Sequence, residues 1–113
     1  MVKRMSEQSY LVLLALAEEP RHGYGVVQAV LTLSGGDVRL GAGTLYGILD
    51  RLVAAGQAEA SGEVVVDGRL RRYYRLTDAG HEALTAETAR LRDLAHRAQR
   101  VLTAAPRPAL GQA

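Results

Sequence analysis

Three glycines, Gly41, Gly43 and Gly47, fall within seven residues in the segment GAGTLYGILDRL, residues 41–52. Because glycine has no Cβ, this spacing lets a backbone come close to a phosphate. One interpretation is a nucleotide-binding loop, which needs a preceding strand, a βαβ unit and a downstream acid. The flanking segments do not fit that pattern. We favour a second interpretation, in which the N-terminus of a helix approaches a large polyanion.

Two segments of the chain are basic. Residues 69–75, RLRRYYR, contain four arginines and no acid, and residues 90–100 contain four arginines and one aspartate. A local excess of positive charge is typical of a surface that binds a polyanion. On charge alone, a solvated face that maintains solubility is the simpler interpretation. The function of these arginines can be interpreted only once the secondary-structure elements that carry them are known.

Catalytic and metal-binding patterns are not found in the sequence. The chain has no cysteine, which excludes disulfides and thiolate metal sites and fits a reducing cytoplasm. The three histidines, His22, His81 and His96, lack the paired spacing of metal ligands. No nucleophile–base pair stands out. We expect no enzyme activity, no metal and no cofactor, and the longest apolar run, residues 10–17, is too short to span a membrane.

The first half of the chain is predicted to contain three helices. A length of 113 residues fits one domain, and the absence of Trp and Phe predicts an aliphatic core. Ser6 can cap a helix that ends near residue 18. A second helix is predicted over residues 24–33, with Tyr24 packed between helices. The segment DVRL, residues 37–40, allows a single strand-like crossing.

The third helix is predicted over residues 44–55, because its apolar residues recur at helical spacing. The predicted buried face consists of Leu45, Ile48, Leu49, Leu52 and Val53. The opposite face carries Gly43, Gly47, Asp50, Arg51 and Ala54, with Thr44 and Tyr46 at its flanks. Because glycine has no side chain, the exposed face of the helix carries little bulk at its N-terminal end.

A β-hairpin and a long helix follow. Asp67-Gly68 is a strong turn signal between two strand-like segments. In the second strand Tyr74 is expected in the core. Thr77 can cap the last helix, in which Leu84, Leu91 and Ala98 recur every seven residues, with Leu94 and Val101 between them. We call these five residues the seam, because the repeat predicts a helix–helix contact.

This order of elements predicts a mainly α fold with a small β-hairpin, that is, a winged helix-turn-helix domain followed by a long C-terminal dimerisation helix. The expected boundaries are residues 1–77 for the domain, 78–103 for the helix and 104–113 for a disordered tail rich in Pro, Gly and Ala. In such a domain the third helix contacts DNA bases, and the hairpin, called the wing, contacts phosphates.

Four motifs resemble those of the PadR-like transcriptional regulators. They are HGYG at 22–25, GTLY at 43–46, RLVAAG at 51–56 and RRYYRLTDAG at 71–80. The resemblance covers residues 11–83, and the set in this order is specific although each motif alone is weak. It implies a homodimeric repressor in which the last helix of each subunit packs on the other subunit, with repression often relieved by a small molecule. Where many relatives have Ser-Pro this chain has Gly41-Ala42, and Gly47 replaces a proline, so the helix start should be less rigid.

The sequence therefore predicts two sets of site residues. The expected DNA-binding residues are Gly43, Thr44, Tyr46, Gly47, Arg51, Arg71, Arg72 and Arg75. The expected dimerisation residues are those of the seam, Leu84, Leu91, Leu94, Ala98 and Val101. Simpler roles stay open for several: Tyr46 could lie partly in the core, Thr44 could only start a helix, and the arginines could be solvated.

Two hypotheses of function remain. The first is a dimeric repressor that binds an inverted-repeat operator in double-stranded DNA and responds to a small-molecule effector. The second is a winged-helix module that binds another protein without binding DNA. They differ in the salt dependence of DNA binding, which is steep only when the protein neutralises phosphates.

Overall fold

The computed structural model describes residues 4–105 and 107–108, which form four helices and one three-stranded sheet. The helices are α1 (Glu7–Glu18), α2 (Gly23–Leu33), α3 (Ala42–Ala54) and α4 (Asp78–Ala104). The strands are β1 (Arg21–His22), β2 (Ala58–Val66) and β3 (Arg69–Leu76). The predicted fold class is confirmed: three short helices precede a hairpin and a long C-terminal helix. No helix within the described ranges has the length and hydropathy needed to cross a membrane.

Side chains cap three of these four helices at their N-termini. The Ser6 hydroxyl accepts a hydrogen bond from the Ser9 backbone N–H, and the Thr77 hydroxyl accepts one from Gly80. Both caps agree with the sequence. The cap of α2 does not follow from residue preferences, because His22 Nδ1 accepts from the Gly25 N–H at 3.3 Å.

The hairpin turns where the sequence predicts it. Asp67 and Gly68 have φ angles of 52° and 77°, the two left-handed residues that a tight hairpin turn requires. The third strand differs from expectation, because residues 37–40 contain no strand. Instead β1, in the connection between α1 and α2, pairs with the other edge of β3, where Arg21 lies opposite Tyr74. This pairing satisfies backbone groups that an open edge would leave exposed.

The core is aliphatic apart from Tyr74, which is buried as predicted. Two predictions of burial are wrong. Tyr24 is 52% exposed, because it lies on the side of α2 opposite Val26, which is fully buried. Val53 is 43% exposed, because one residue beyond Leu52 the helix has already turned by about 100° away from the core.

The long helix α4 has two different halves. Its first half packs against α1, where the Tyr10 and Thr88 hydroxyl oxygens lie 2.6 Å apart, and Leu84 reaches the core. Residues 91–105 are exposed. The helix ends at Ala104, one residue beyond the predicted boundary. The predicted disordered tail, residues 104–113, lies for the larger part outside the described residues.

Gly80 allows the start of α4 to approach the loop before β2. A Cβ at this position would overlap the carbonyl oxygen of Gln57 and also meet Leu76. We therefore expect Gly80→Ala to lower the free energy of unfolding by about 1–3 kcal/mol, the usual cost of overpacking. Urea denaturation measures this effect. In the matched control Gly43→Ala the added methyl group meets no atom within 4 Å, so equal stability of the two variants would contradict the prediction.

Candidate nucleic-acid interface

The helix α3 presents an exposed face whose direction is fixed by the core. Four residues on one side of the helix are buried: Leu45, Ile48, Leu49 and Leu52. The predicted contact residues on the other side are exposed or half-exposed: Gly43, Thr44, Tyr46, Gly47 and Arg51. The pattern of the sequence and the structure agree here, because one amphipathic helix has only one way to bury its apolar face.

The N-terminus of α3 is open. It begins at Ala42, two residues before the predicted start, and Gly41 in the capping position offers no side-chain hydrogen bond. The first helical N–H to bond is that of Leu45, to the Gly41 carbonyl at 3.0 Å. The N–H groups of the first turn therefore lie at the positive end of the helix dipole without a side-chain acceptor. A Cβ added at Gly41 or Gly43 would meet nothing within 4 Å, so a large partner can come close.

Tyr46 supports the interface and also remains accessible. Its hydroxyl lies over α2, at 2.6 Å from the position that a Cβ on Gly23 would take. Because Gly23 has no side chain, it leaves room for the tyrosine hydroxyl. This contact explains why the first glycine of HGYG is needed. The residue is still 48% exposed, so packing and contact with a partner are compatible.

Arg51 extends along the exposed face of α3. Its Nη1 atom would lie 3.7 Å from a Cβ on Gly47, an ordinary contact distance. The arginine lines a cleft on the side of α1, together with Arg4, Ser6 and Gln57. Arg4 was not among the predicted site residues, because a single arginine near the start of a chain gives no signal until the fold brings it next to α3.

The wing consists of residues 58–76, and its arginines have acidic neighbours on the opposite strand that the sequence pattern did not indicate. Register places Glu59 opposite Arg75 and Glu63 opposite Arg72. The Arg75 guanidinium donates to Glu59 at 2.7–2.8 Å, whereas Arg72 Nη2 lies 3.8 Å from the Glu63 carboxylate. Both pairs are exposed to solvent, where such pairs contribute about 0–1 kcal/mol. Arg72 is therefore easily transferred to a phosphate, and Arg75 is held more closely.

Arg71 and Arg72 point to opposite sides of the wing. Arg72 shares the side of Tyr74 and lines a cleft with Tyr46 of α3. Arg71 is half-buried on the side of Tyr73, and its Nε atom is buried without a hydrogen-bond partner in the described part of the chain. A wing with arginines on both sides can contact phosphates of both DNA strands that border a groove.

The tip of the wing is apolar, which the arginine-rich sequence did not indicate. Val64, Val65 and Leu70 are 52%, 66% and 66% exposed. Val65 and Leu70 are direct partners across the two strands. With four arginines and three acids, the wing as a whole carries little net charge.

The seam residues divide between the core and the surface. Leu84 is only 7% exposed and packs in the core of its own chain, so it has little surface left for a second subunit. Leu91, Leu94 and Val101 are 38%, 48% and 64% exposed, and Ala98 is exposed beside them. Leu102, 75% exposed, extends the same stripe. The exposed part of the seam thus begins at Leu91.

A cleft of about 470 Å³ separates the N-terminus of α1 from α4. Its walls include Met5, Leu11 and Leu91, and one rim carries Glu87 and Arg90. The pKa of Glu87 is lowered, first by the hydrogen bonds that Arg90 donates, against an opposing effect of desolvation; the pKa of Arg90 is raised by the same bonds. The rim therefore holds a paired rather than a free charge.

Among residues 4–105 and 107–108, no three His, Asp or Glu side chains come together to hold a metal ion. One of the three histidines, His22, has a structural role. It caps α2, and its ring meets the Tyr73 ring edge-to-face with centroids 5.3 Å apart. The second strand of the wing is thereby joined to the start of α2.

Comparison with known proteins identifies a family whose match spans all four motifs. Residues 12–86 match the family model described as the transcriptional regulator PadR-like family. The transcriptional regulator Rv3488 of Mycobacterium tuberculosis is 44% identical over 79 residues, which cover 70% of each chain. An uncharacterized 37.1 kDa protein in transposon Tn4556 of Streptomyces fradiae is 43% identical over 84 residues. That match covers 74% of this chain but only 23% of the 37.1 kDa protein.

A solved structure shows the same fold at low sequence identity. A PadR family transcription regulator from hypervirulent Clostridium difficile R20291 superposes with a TM-score of 0.73 at 20% identity, covering 86% of this chain and 99% of that one. Most of this chain therefore has the fold of nearly the whole of that solved chain.

Proposed function

Because the chain belongs to the PadR-like family of transcriptional regulators, we propose that it is a homodimeric repressor that binds an inverted-repeat operator in double-stranded DNA. The observation that carries the proposal is the uncapped, glycine-thinned start of α3. Such a terminus suits a phosphate, since its N–H groups and the helix dipole both favour negative charge. We place the protein in the cytoplasm, with its DNA.

The proposed contacts follow from where each group lies. The first turn of α3, with Gly43 and Thr44, approaches the phosphate backbone and the edge of the major groove. Tyr46 and Arg51 extend from its two flanks. Arg71 and Arg72 contact phosphates on either side of the wing, and Arg75 contributes less because Glu59 holds it. Phosphate contacts of this kind set position and affinity rather than sequence preference.

Salt dependence of DNA binding tests the proposal. Each phosphate that the protein neutralises adds about 0.9 to the slope of log affinity against log salt. We expect Arg71→Ala combined with Arg72→Ala to reduce this slope by about one to two and to weaken binding similarly for all sequences. Gel shifts over a range of salt concentrations measure both effects, and circular dichroism verifies folding.

A matched control removes two arginines elsewhere. Arg92 and Arg100 are exposed in the second half of α4 and belong to neither α3 nor the wing. Arg92→Ala combined with Arg100→Ala changes the net charge equally and should leave the slope nearly unchanged. Equal slopes for both double variants would remove the wing from the interface, and no salt-dependent DNA binding by the wild type would refute the proposed function itself.

A second candidate function is supported by the apolar tip of the wing. Exposed Val64, Val65 and Leu70 would suit a protein partner, and the cross-strand ion pairs of the wing would then serve solubility. The same salt titration separates the two candidates, because a protein-binding module has no steep dependence of DNA affinity on salt.

Relief of repression by a small molecule is the remaining part of the proposal. We place the effector in the cleft between α1 and α4, which has apolar walls and a paired charge at its rim. Leu91 lines this cleft and also begins the exposed part of the seam. A molecule bound there would therefore act on the position of α4 and, through it, on the spacing of the two subunits.

A further inference from the structure

The midline of the exposed face of α3 carries a single polar side chain. At about 100° per residue, the line opposite the buried residues runs through Gly43, Gly47, Asp50 and Ala54. Gly43, Gly47 and Ala54 have no functional group. Tyr46 and Arg51 lie to the two sides of this line, towards the wing and towards α1. If α3 lies in the major groove, Asp50 is the polar side chain directed at its floor.

The carboxylate of Asp50 is uncompensated. It is exposed and lines a cleft of about 510 Å³ with Arg72 and Glu63. Arg72, the basic residue that lines this cleft, forms its ion pair with Glu63 instead. Within the described residues Asp50 has neither an ion pair nor a side-chain hydrogen bond, whereas Glu59 and Glu63 of the wing are both paired.

An uncompensated carboxylate on a DNA-binding face limits what can lie opposite it. Ionised Asp only accepts hydrogen bonds, and phosphates repel it. In the major groove guanine presents acceptors, and thymine presents an acceptor and a methyl group. Only the N4 amino group of cytosine and the N6 amino group of adenine donate. The carboxylate therefore weakens binding to non-specific DNA. It can form a hydrogen bond only with a base edge that presents an amino group.

We infer that Asp50 is a specificity-determining residue that accepts a hydrogen bond from the amino group of a cytosine or an adenine at one position in each half-site. This inference rests on the proposed function and adds to it the chemistry of the base pair selected. It also assigns Asp50 an energetic role opposite to that of the arginines. They raise affinity for every sequence, whereas Asp50 lowers it for all sequences without the matching donor.

Selection of bound sequences from a random DNA pool tests the inference. The wild type should select cytosine or adenine at one position of each half-site. Asp50→Ala should reduce the preference there by about 10-fold to 100-fold, the range for one good base contact, and should bind non-specific DNA more tightly. Asp50→Asn distinguishes the two bases, because an amide pairs well with adenine and poorly with the cytosine amino group alone.

The control Asp93→Ala removes the same charge from the exposed surface of α4, so it separates a base contact from a general effect of charge. Asp50 is exposed, and circular dichroism should show all three variants folded. An unchanged preference in Asp50→Ala, with a wild type that still selects a defined sequence, overturns the inference and leaves the proposed function intact. A wild type that selects no sequence at all refutes the proposed function.

Discussion

Inserting 5 base pairs between the two half-sites of the operator is expected to reduce the affinity of this protein about a thousandfold or more, towards that of non-specific DNA. The expectation follows from a two-fold dimer that carries one α3 per subunit. The two helices must enter the groove on the same side of the duplex, about 34 Å apart or a multiple of that distance. Half-sites should therefore lie about 10 base pairs apart, centre to centre, or a multiple of it.

Five added base pairs rotate one half-site by about half a turn, to the far side of the DNA. Only one α3 can then meet its site, and the second subunit faces sequence it does not match. Gel shifts with the natural and the altered operator measure the loss. In the control DNA the same five base pairs are added outside the half-sites, so that length and composition are equal. Full affinity for the internal insertion would mean that the two helices do not bind DNA as a fixed pair.

The sequence predicted most of the elements that position this interface, because their signals are local. A Ser or Thr before a helix, an Asp-Gly turn and apolar residues at helical spacing each act within a few positions of the chain. The caps Ser6 and Thr77 and the turn at Asp67-Gly68 were confirmed in this way. The predicted buried face of α3 was correct except for Val53, which lies at the margin of that face and is exposed.

The errors and omissions have a common physical origin, which is contact between distant segments. β1 forms only because β3 offers a free edge to Arg21 and His22. The neutralising partners of Arg72 and Arg75 come from the opposite strand of the wing, so a count of arginines along one strand overestimates its charge. The glycines at positions 23 and 80 are explained only by Tyr46 and Gln57, which approach them from other elements.

Replacing Leu94 and Val101 by glutamate is expected to dissociate the proposed dimer. These two residues belong to the exposed part of the seam and have no partner within the described residues of their own chain that would hide them from solvent. Each Leu or Val that becomes fully buried contributes about 1.5–3 kcal/mol. The double variant removes four such residues per dimer. Because Leu94 and Val101 are 48% and 64% exposed before association, their loss amounts to about 3–7 kcal/mol. That difference weakens association about 10²-fold to 10⁵-fold, and like charges would face one another across the two-fold axis.

Sedimentation velocity at a fixed protein concentration measures this loss, and the affinity for the full operator should fall with it, because a monomer meets only one half-site. Gln99→Glu combined with Thr103→Glu is the matched control. Those residues lie on the other side of α4, where they line a shallow groove with His96 and Arg100, and the variant adds the same number of charges to the same helix. Truncation before Thr85 would be a poorer test, since the removed segment includes Thr88, whose hydroxyl meets Tyr10 of α1. If the Leu94 and Val101 variant sediments as a stable dimer while the control does too, the exposed part of the seam is not the contact between subunits, and the two copies of α3 must be held at their spacing by another surface.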